Sequence, residues 1–167
     1  MYKRAIVALD GSQVAETILP FIFEVAGPLE VTLVRVNVPV RRAIVEGAAQ
    51  PMLEDPEVAR IDAEEYLEAL AGELRHRGIR VKTQVREGEA ADEILKAARE
   101  ANADVIAMTT HGRRGFGRLL FGSVAETVLR ESELPVFLMR STEADVARLA
   151  NAAGLPGATV TLQGARR

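Results

Sequence analysis

The sequence predicts an α/β domain built on one open, five-stranded parallel sheet with helices on both faces. Three observations predict it. Short apolar runs rich in β-branched residues alternate along the chain with amphipathic stretches of helical period. The runs end in turn-forming or glycine-rich segments, as strands entering a crossover do. Successive strands separated by helices are joined by right-handed crossovers, which makes the strands parallel.

The first run, Ala5 to Leu9, is continuously apolar and stops at Asp10-Gly11-Ser12, a buried strand running into a turn. From Ser12 to about Ala26, the residues Ala15, Ile18, Leu19, Ile22 and Val25 recur at helical spacing. Pro20 lacks an N–H and is expected to bend that helix, and Gly27-Pro28 ends it. Val31 to Val38 is the second strand. Residues 39–52, interrupted by Pro39, Gly47 and Pro51, read as a mobile loop.

The longest helix is predicted from about Asp55 to His76, with Val58, Ile61, Leu67, Leu70 and Leu74 turned inward and the acidic residues outward. Asp55-Pro56 suits its N-cap and first position, Gly78 suits its C′ position, and His76 suits the negative end of its dipole. Ile79 to Val85 alternates apolar and polar residues, the pattern of a half-exposed edge strand. After Gly88 a short helix buries Ala91, Ile94, Leu95 and Ala98. Asp104 to Thr110 is an apolar, central fourth strand. A helix from Ser123 to about Glu131 follows, with Ser123 and Glu126 expected to close a capping box at its start. Pro135 to Met139 is the fifth strand, with Pro135 at its first position. Residues 1–140 thus form the domain, and residues 141–167 a peripheral extension with one more helix over 143–153.

Composition narrows the function. The 167 residues, 48% of them hydrophobic and 27% charged, suffice for one well-buried core. The chain has no cysteine and two histidines, which excludes thiolate metal sites, cysteine nucleophiles and a three-histidine centre within one chain. A net charge of −3 and an aromatic content of 4% provide neither a global pull toward nucleic acid nor a base-stacking platform. No apolar run approaches the ~20 residues of a membrane span. The start turns acidic at Asp10 before a signal segment develops, so the protein is expected to be cytoplasmic, with no membrane and no nucleic acid among its partners.

In an open parallel sheet, ligands gather at the carboxyl ends of the strands, where the strand order reverses. The informative stretch there runs from Thr109 to Ser123, with Gly112, Gly115, Gly117 and Gly122 interleaved with Arg113, Arg114 and Arg118. Glycines admit close backbone approach, and the helix that follows offers free N–H groups at Ser123, Val124 and Ala125 to an anion. A phosphate cradle is the chemistry this composition fits. No Gly-Lys-Ser/Thr occurs, so it is not a P-loop. Leu120 stands where a dinucleotide fingerprint needs its third glycine. What remains is Gly112, nine residues, then Gly122-Ser123.

That pattern, with Ile6-Val-Ala-Leu-Asp10-Gly-Ser12, Val34-Arg-Val36 and Leu134-Pro135-Val-Phe-Leu-Met139, resembles the nucleotide-binding branch of the universal stress protein family over about residues 2–140. Thr109 stands where that branch carries its first glycine. A side chain there would either crowd a nucleotide or hydrogen-bond to it through its hydroxyl. The resemblance implies a Rossmann-like sheet of the adenine nucleotide alpha hydrolase kind. It implies that Ala8 and Asp10 lie beside the nucleoside, with Asp10 on the ribose, and that the Val36 backbone meets the adenine edge. It also implies that Gly112, Arg113, Gly122, Ser123 and Val124 surround the phosphates of ATP, ADP or AMP with Mg2+ or Mn2+. The family's homodimer would pair residues 136–139 with their symmetry mates.

Taken without a ligand, Asp10 makes an Asx turn and the arginines a solvated loop. Two functions follow: a stress-response regulator that binds an adenine nucleotide with little or no turnover, or a ligand-free dimerisation module of the same fold. The chain is not expected to be an enzyme beyond incidental, slow ATP hydrolysis.

Overall fold

The computed structural model describes residues 2–26, 30–39, 55–111 and 122–153. The predicted loop beyond Pro39, the glycine-rich segment from Gly112 to Phe121 and the chain beyond Ala153 lie outside them. The elements, in order, are β1 (Arg4–Leu9), α1 (Gln13–Glu16), α2 (Leu19–Ala26), β2 (Glu30–Asn37), α3 (Pro56–His76), β3 (Arg80–Glu87), α4 (Ala90–Glu100), β4 (Val105–His111), α5 (Ser123–Glu131), β5 (Val136–Ser141) and α6 (Glu143–Ala153). All four strand pairings are parallel, and the spatial order is β3-β2-β1-β4-β5. The order reverses beside β1, so the switch point lies at the carboxyl ends of β1 and β4.

The continuous apolar run of β1 is explained by burial on both faces. Ala5, Val7 and Leu9 join Ala15, Ile18, Leu33, Leu67 and Leu74 in a core beneath α1, α2 and α3. Ile6 and Ala8 join Val34, Ile94, Leu95, Ile106, Met108 and Val128 in a second core beneath α4 and α5. A fully buried leucine such as Leu67 stabilises the fold by about 1.5–3 kcal/mol. The alternating Ile79–Val85 stretch is the edge strand its pattern predicts, paired only with β2 among the described residues.

Three local expectations need correction. The segment from Ser12 to Ala26 is two helices rather than one bent helix. The Thr17 hydroxyl donates to the Val14 carbonyl across 2.6 Å and stops α1, and Pro20 then occupies the first turn of α2, where its missing N–H is no loss. In α3, Val58 and Ile61 are exposed rather than inward. At 100° per residue Val58 falls on the side opposite Leu67, and the inward stripe is Ala63, Leu67, Ala71 and Leu74 with Tyr66 and Leu70 beside it. At α5, Gly122 takes the N-cap position and Ser123 is the first helical residue, so the expected capping box does not form.

Other caps are as predicted. Asp55 accepts the Glu57 N–H across 2.9 Å ahead of Pro56. Gly78, at φ +82°, ends α3 in a Schellman motif, with the N–H of Gly78 on the Arg75 carbonyl and that of Ile79 on the Leu74 carbonyl. Beyond β5, Thr142 starts α6 by donating its N–H and hydroxyl to Asp145, and α6 packs against α1.

Candidate functional site

The carboxyl ends of β1 and β4 lie side by side at the switch point of the sheet. On the α4/α5 side, Ala8 lies opposite Val34 and Met108, and Val36 extends the same apolar face one step further along β2. Val124 and Ala125 of α5 pack into that cluster. The structure therefore brings Ala8, Val36, Val124 and Ala125 together, although they come from three separate elements.

Gly122 approaches α5 with φ 68° and ψ 151°, a conformation essentially restricted to glycine. Its own carbonyl accepts the Glu126 N–H across 3.0 Å. The N–H groups of Ser123, Val124 and Ala125 find no acceptor among the described residues, and no side chain caps the helix. They remain oriented donors at the positive end of a helix dipole. Gly112 and Arg113 lie outside the described residues.

At the end of β1, Asp10 is exposed and makes the Asx turn its position predicts. Its Oδ1 accepts the Ser12 N–H across 2.9 Å and the Ser12 hydroxyl across 2.6 Å. The Ser12 hydroxyl oxygen in turn accepts the Ala15 N–H at 3.1 Å, capping α1. Gly11 turns the chain at φ +87°.

Thr109 points the other way. Odd-numbered β4 residues face α1, and the Thr109 hydroxyl donates to the Ala15 carbonyl across 3.2 Å. Of the two side-chain roles open to it, neither crowding of the apolar shelf nor a hydroxyl turned toward Ala8 and Val36 is what this geometry offers.

Sequence reading missed a polar group under the Asp10 turn. The Arg35 guanidinium lies 5.3 Å from the Tyr66 ring centroid, and the Tyr66 hydroxyl donates to Glu16 across 3.0 Å. Burial holds the Glu16 carboxyl above the ordinary glutamate range. Burial, and then the Glu16 charge, push the Tyr66 phenol up. The sequence carried one hint, since a tyrosine on the inward stripe of α3 needs a polar partner for its hydroxyl.

No group of three or more His, Asp or Glu gathers to hold a metal among the described residues. No described helix is long and apolar enough to cross a membrane.

Comparison with known proteins agrees with this architecture. The model of the universal stress protein family matches residues 1–140. Universal stress protein MJ0531 of Methanocaldococcus jannaschii is 27% identical over 144 residues, covering 84% of this chain and 83% of its own length. The solved structure of protein MJ0577 from the same organism superposes with a TM-score of 0.62 at 26% identity, over 84% of this chain and 96% of that one. The universal stress protein from Archaeoglobus fulgidus in complex with dAMP superposes with a TM-score of 0.57 at 25% identity, over 82% and 97%.

Proposed function

Because the chain belongs to the universal stress protein family, we propose that it is a stress-response regulator that binds an adenine nucleotide at the mouth between β1 and β4. The observation that carries this reading is the shelf of Ala8 and Val36 bordered by the uncapped N-terminus of α5. An apolar shelf suits a purine, and fixed N–H donors suit its phosphates. Asp10, exposed at the end of β1, carries the carboxylate proposed to meet a ribose hydroxyl. The dAMP bound by the Archaeoglobus fulgidus relative supports the ligand class.

In this reading Gly122, Ser123, Val124 and Ala125 receive the phosphates together with Gly112 and Arg113, and the Val36 backbone meets the adenine edge. Thr109 stays outside the ligand and holds the strand end to α1. Mg2+ or Mn2+ would enter on the phosphate oxygens, near the Asp10 carboxylate. Little turnover is expected, since the sequence carries no P-loop lysine to compress charge onto a transferring phosphoryl group. The protein would act in the cytoplasm.

A homodimer through residues 136–139 is part of the proposal. Among the described residues β5 is the last strand of the sheet and pairs only with β4, and its residues from Val136 to Met139 are half-buried. A two-fold pairing would cover that edge. The same open edge favours the second reading, a ligand-free dimerisation module.

The experiment that separates them uses protein purified without added nucleotide. It is denatured, its supernatant is resolved by anion exchange against adenine nucleotide standards, and the native protein is titrated with MgATP by calorimetry. Near-stoichiometric ATP, ADP or AMP, or a binding isotherm, is the expected result. An empty supernatant and no heat would leave the dimerisation module.

A further inference from the structure

We propose that Arg35 is a positioning residue that supports the Asp10 turn from beneath, deepening the nucleotide reading above. Arg35 stands one residue before Val36, opposite Leu9 in register, on the face of the sheet turned toward α3. Its guanidinium fills the space under Gly11. A Cβ on Gly11 would lie 3.1 Å from Arg35 Cζ and Nη1 and 3.3 Å from Nη2. The guanidinium also lies over the Tyr66 ring, 5.3 Å from Cζ to centroid. No carboxylate pairs with Arg35 among the described residues. Among the described residues it thus meets a backbone turn and an aromatic ring, contacts that suit the weakly hydrated surface of a guanidinium better than an ammonium.

The support is itself anchored. Tyr66 is fixed by its hydroxyl on Glu16, the last residue of α1, and α1 begins from the Ser12 cap. Arg35, Tyr66 and Glu16 thus link β2, α3 and α1 around the turn in which Asp10 accepts from Ser12. Gly11 is favoured by its φ of +87°, and a side chain there would also press on the guanidinium, which would have to give by a few tenths of an ångström.

The test compares the full chain with Arg35→Met, which keeps a long apolar stem, and Arg35→Lys, which keeps the charge without the plane. By NMR, amide hydrogen exchange at Gly11 and Ser12 is expected to quicken about fivefold in both variants, with Val7 and Ile106 unchanged as reporters of the core. The Kd for ATP is expected to rise about fivefold in both, and Arg35→Met added to Asp10→Ala is expected to weaken ATP no further than Asp10→Ala alone. Unchanged exchange at Gly11 and Ser12, full rescue by lysine, or an additive loss in the double variant would overturn the proposal. If the unmodified protein binds no nucleotide, the functional reading fails and the exchange measurement alone decides the role of Arg35.

Discussion

The Thr109 hydroxyl donates to the Ala15 carbonyl across 3.2 Å, tying the end of β4 to α1 on the side of the sheet away from Ala8, Val34 and Met108. Thr109, which stands where the resemblance places a glycine, thus makes a contact within the fold. Thr109→Val keeps the shape and removes the donor, and is expected to lower stability by about 1 kcal/mol. Thr109→Gly adds the backbone entropy of an unbranched strand position and is expected to cost about 1–2 kcal/mol. Both should bind ATP with a Kd within a few fold of the unmodified protein. Chemical denaturation and calorimetry check the pair, and a large gain in affinity on Thr109→Gly would show that the methyl does obstruct the ligand.

Gly122 offers a cleaner test of the phosphate site. A Cβ there meets no atom within 4 Å among the described residues, so crowding from the fold is not the issue. The backbone at φ 68°, ψ 151° is the obstacle, and holding an alanine in it costs about 1–3 kcal/mol. Gly122→Ala is expected to lose that stability, or to re-aim the first turn of α5 to avoid it. Either way the N–H groups of Ser123 to Ala125 shift, and nucleotide binding should weaken by at least tenfold, about 1.4 kcal/mol. Retained affinity in calorimetry would move the phosphates elsewhere.

Asp10 serves the turn and, in the proposed site, the ribose, and two substitutions separate the roles. Asp10→Asn keeps an Oδ1 acceptor for Ser12 and so keeps the turn. Asp10→Ala removes both. A hydrogen bond to a charged group contributes about 1.5–3 kcal/mol, so Asp10→Ala is expected to weaken ATP by tenfold or more and 2′-deoxy-ATP by less. Asp10→Asn should lie between. Equal losses for the two ligands would refute the ribose contact.

What the sequence made legible follows from how local each signal is. Ala5 to Leu9 announced burial on both faces, and the alternation of Ile79 to Val85 announced an edge, because strand exposure has a period of two residues. Asp55-Pro56 and Gly78 announced both ends of α3, since caps are chemistry of adjacent residues. Helix phase was harder: Val58 and Ile61 are larger than Ala63 and Ala71, yet the alanines lie inward because they share the face of Leu67. The Ser123–Glu126 spacing satisfied a capping pattern that the positive φ of Gly122 displaced by one residue. Most of the proposed nucleotide shelf could be located from motifs. The Arg35–Tyr66–Glu16 chain could not, because its hydroxyl–carboxylate contact joins residues 50 apart in sequence.

Two carboxyls should give stability a pH dependence of opposite sign. Asp104 accepts the N–H groups of Lys3 and Arg4, each across 2.8 Å, and these bonds hold its carboxyl below the ordinary aspartate range. A depressed folded value contributes stability that is present above the unfolded value and lost as pH falls through the folded one. Glu16 is the reverse case, raised chiefly by burial, so its contribution is complete below the ordinary glutamate value and is lost as pH rises through the folded one. Asp104→Asn is therefore expected to be less stable than the unmodified protein at neutral pH, with the difference shrinking in acid. Glu16→Gln leaves an amide oxygen for the Tyr66 hydroxyl and removes the half-buried charge, so relative to this variant the unmodified protein should lose ground as pH rises toward neutral. Urea denaturation from about pH 3 to pH 8, spanning the ordinary carboxyl range, gives both difference curves. Parallel curves for Asp104→Asn and the unmodified protein would show that the two N–H bonds do not favour the charged carboxylate. A Glu16→Gln difference that grows in the opposite direction would mean that the Tyr66 bond outweighs desolvation.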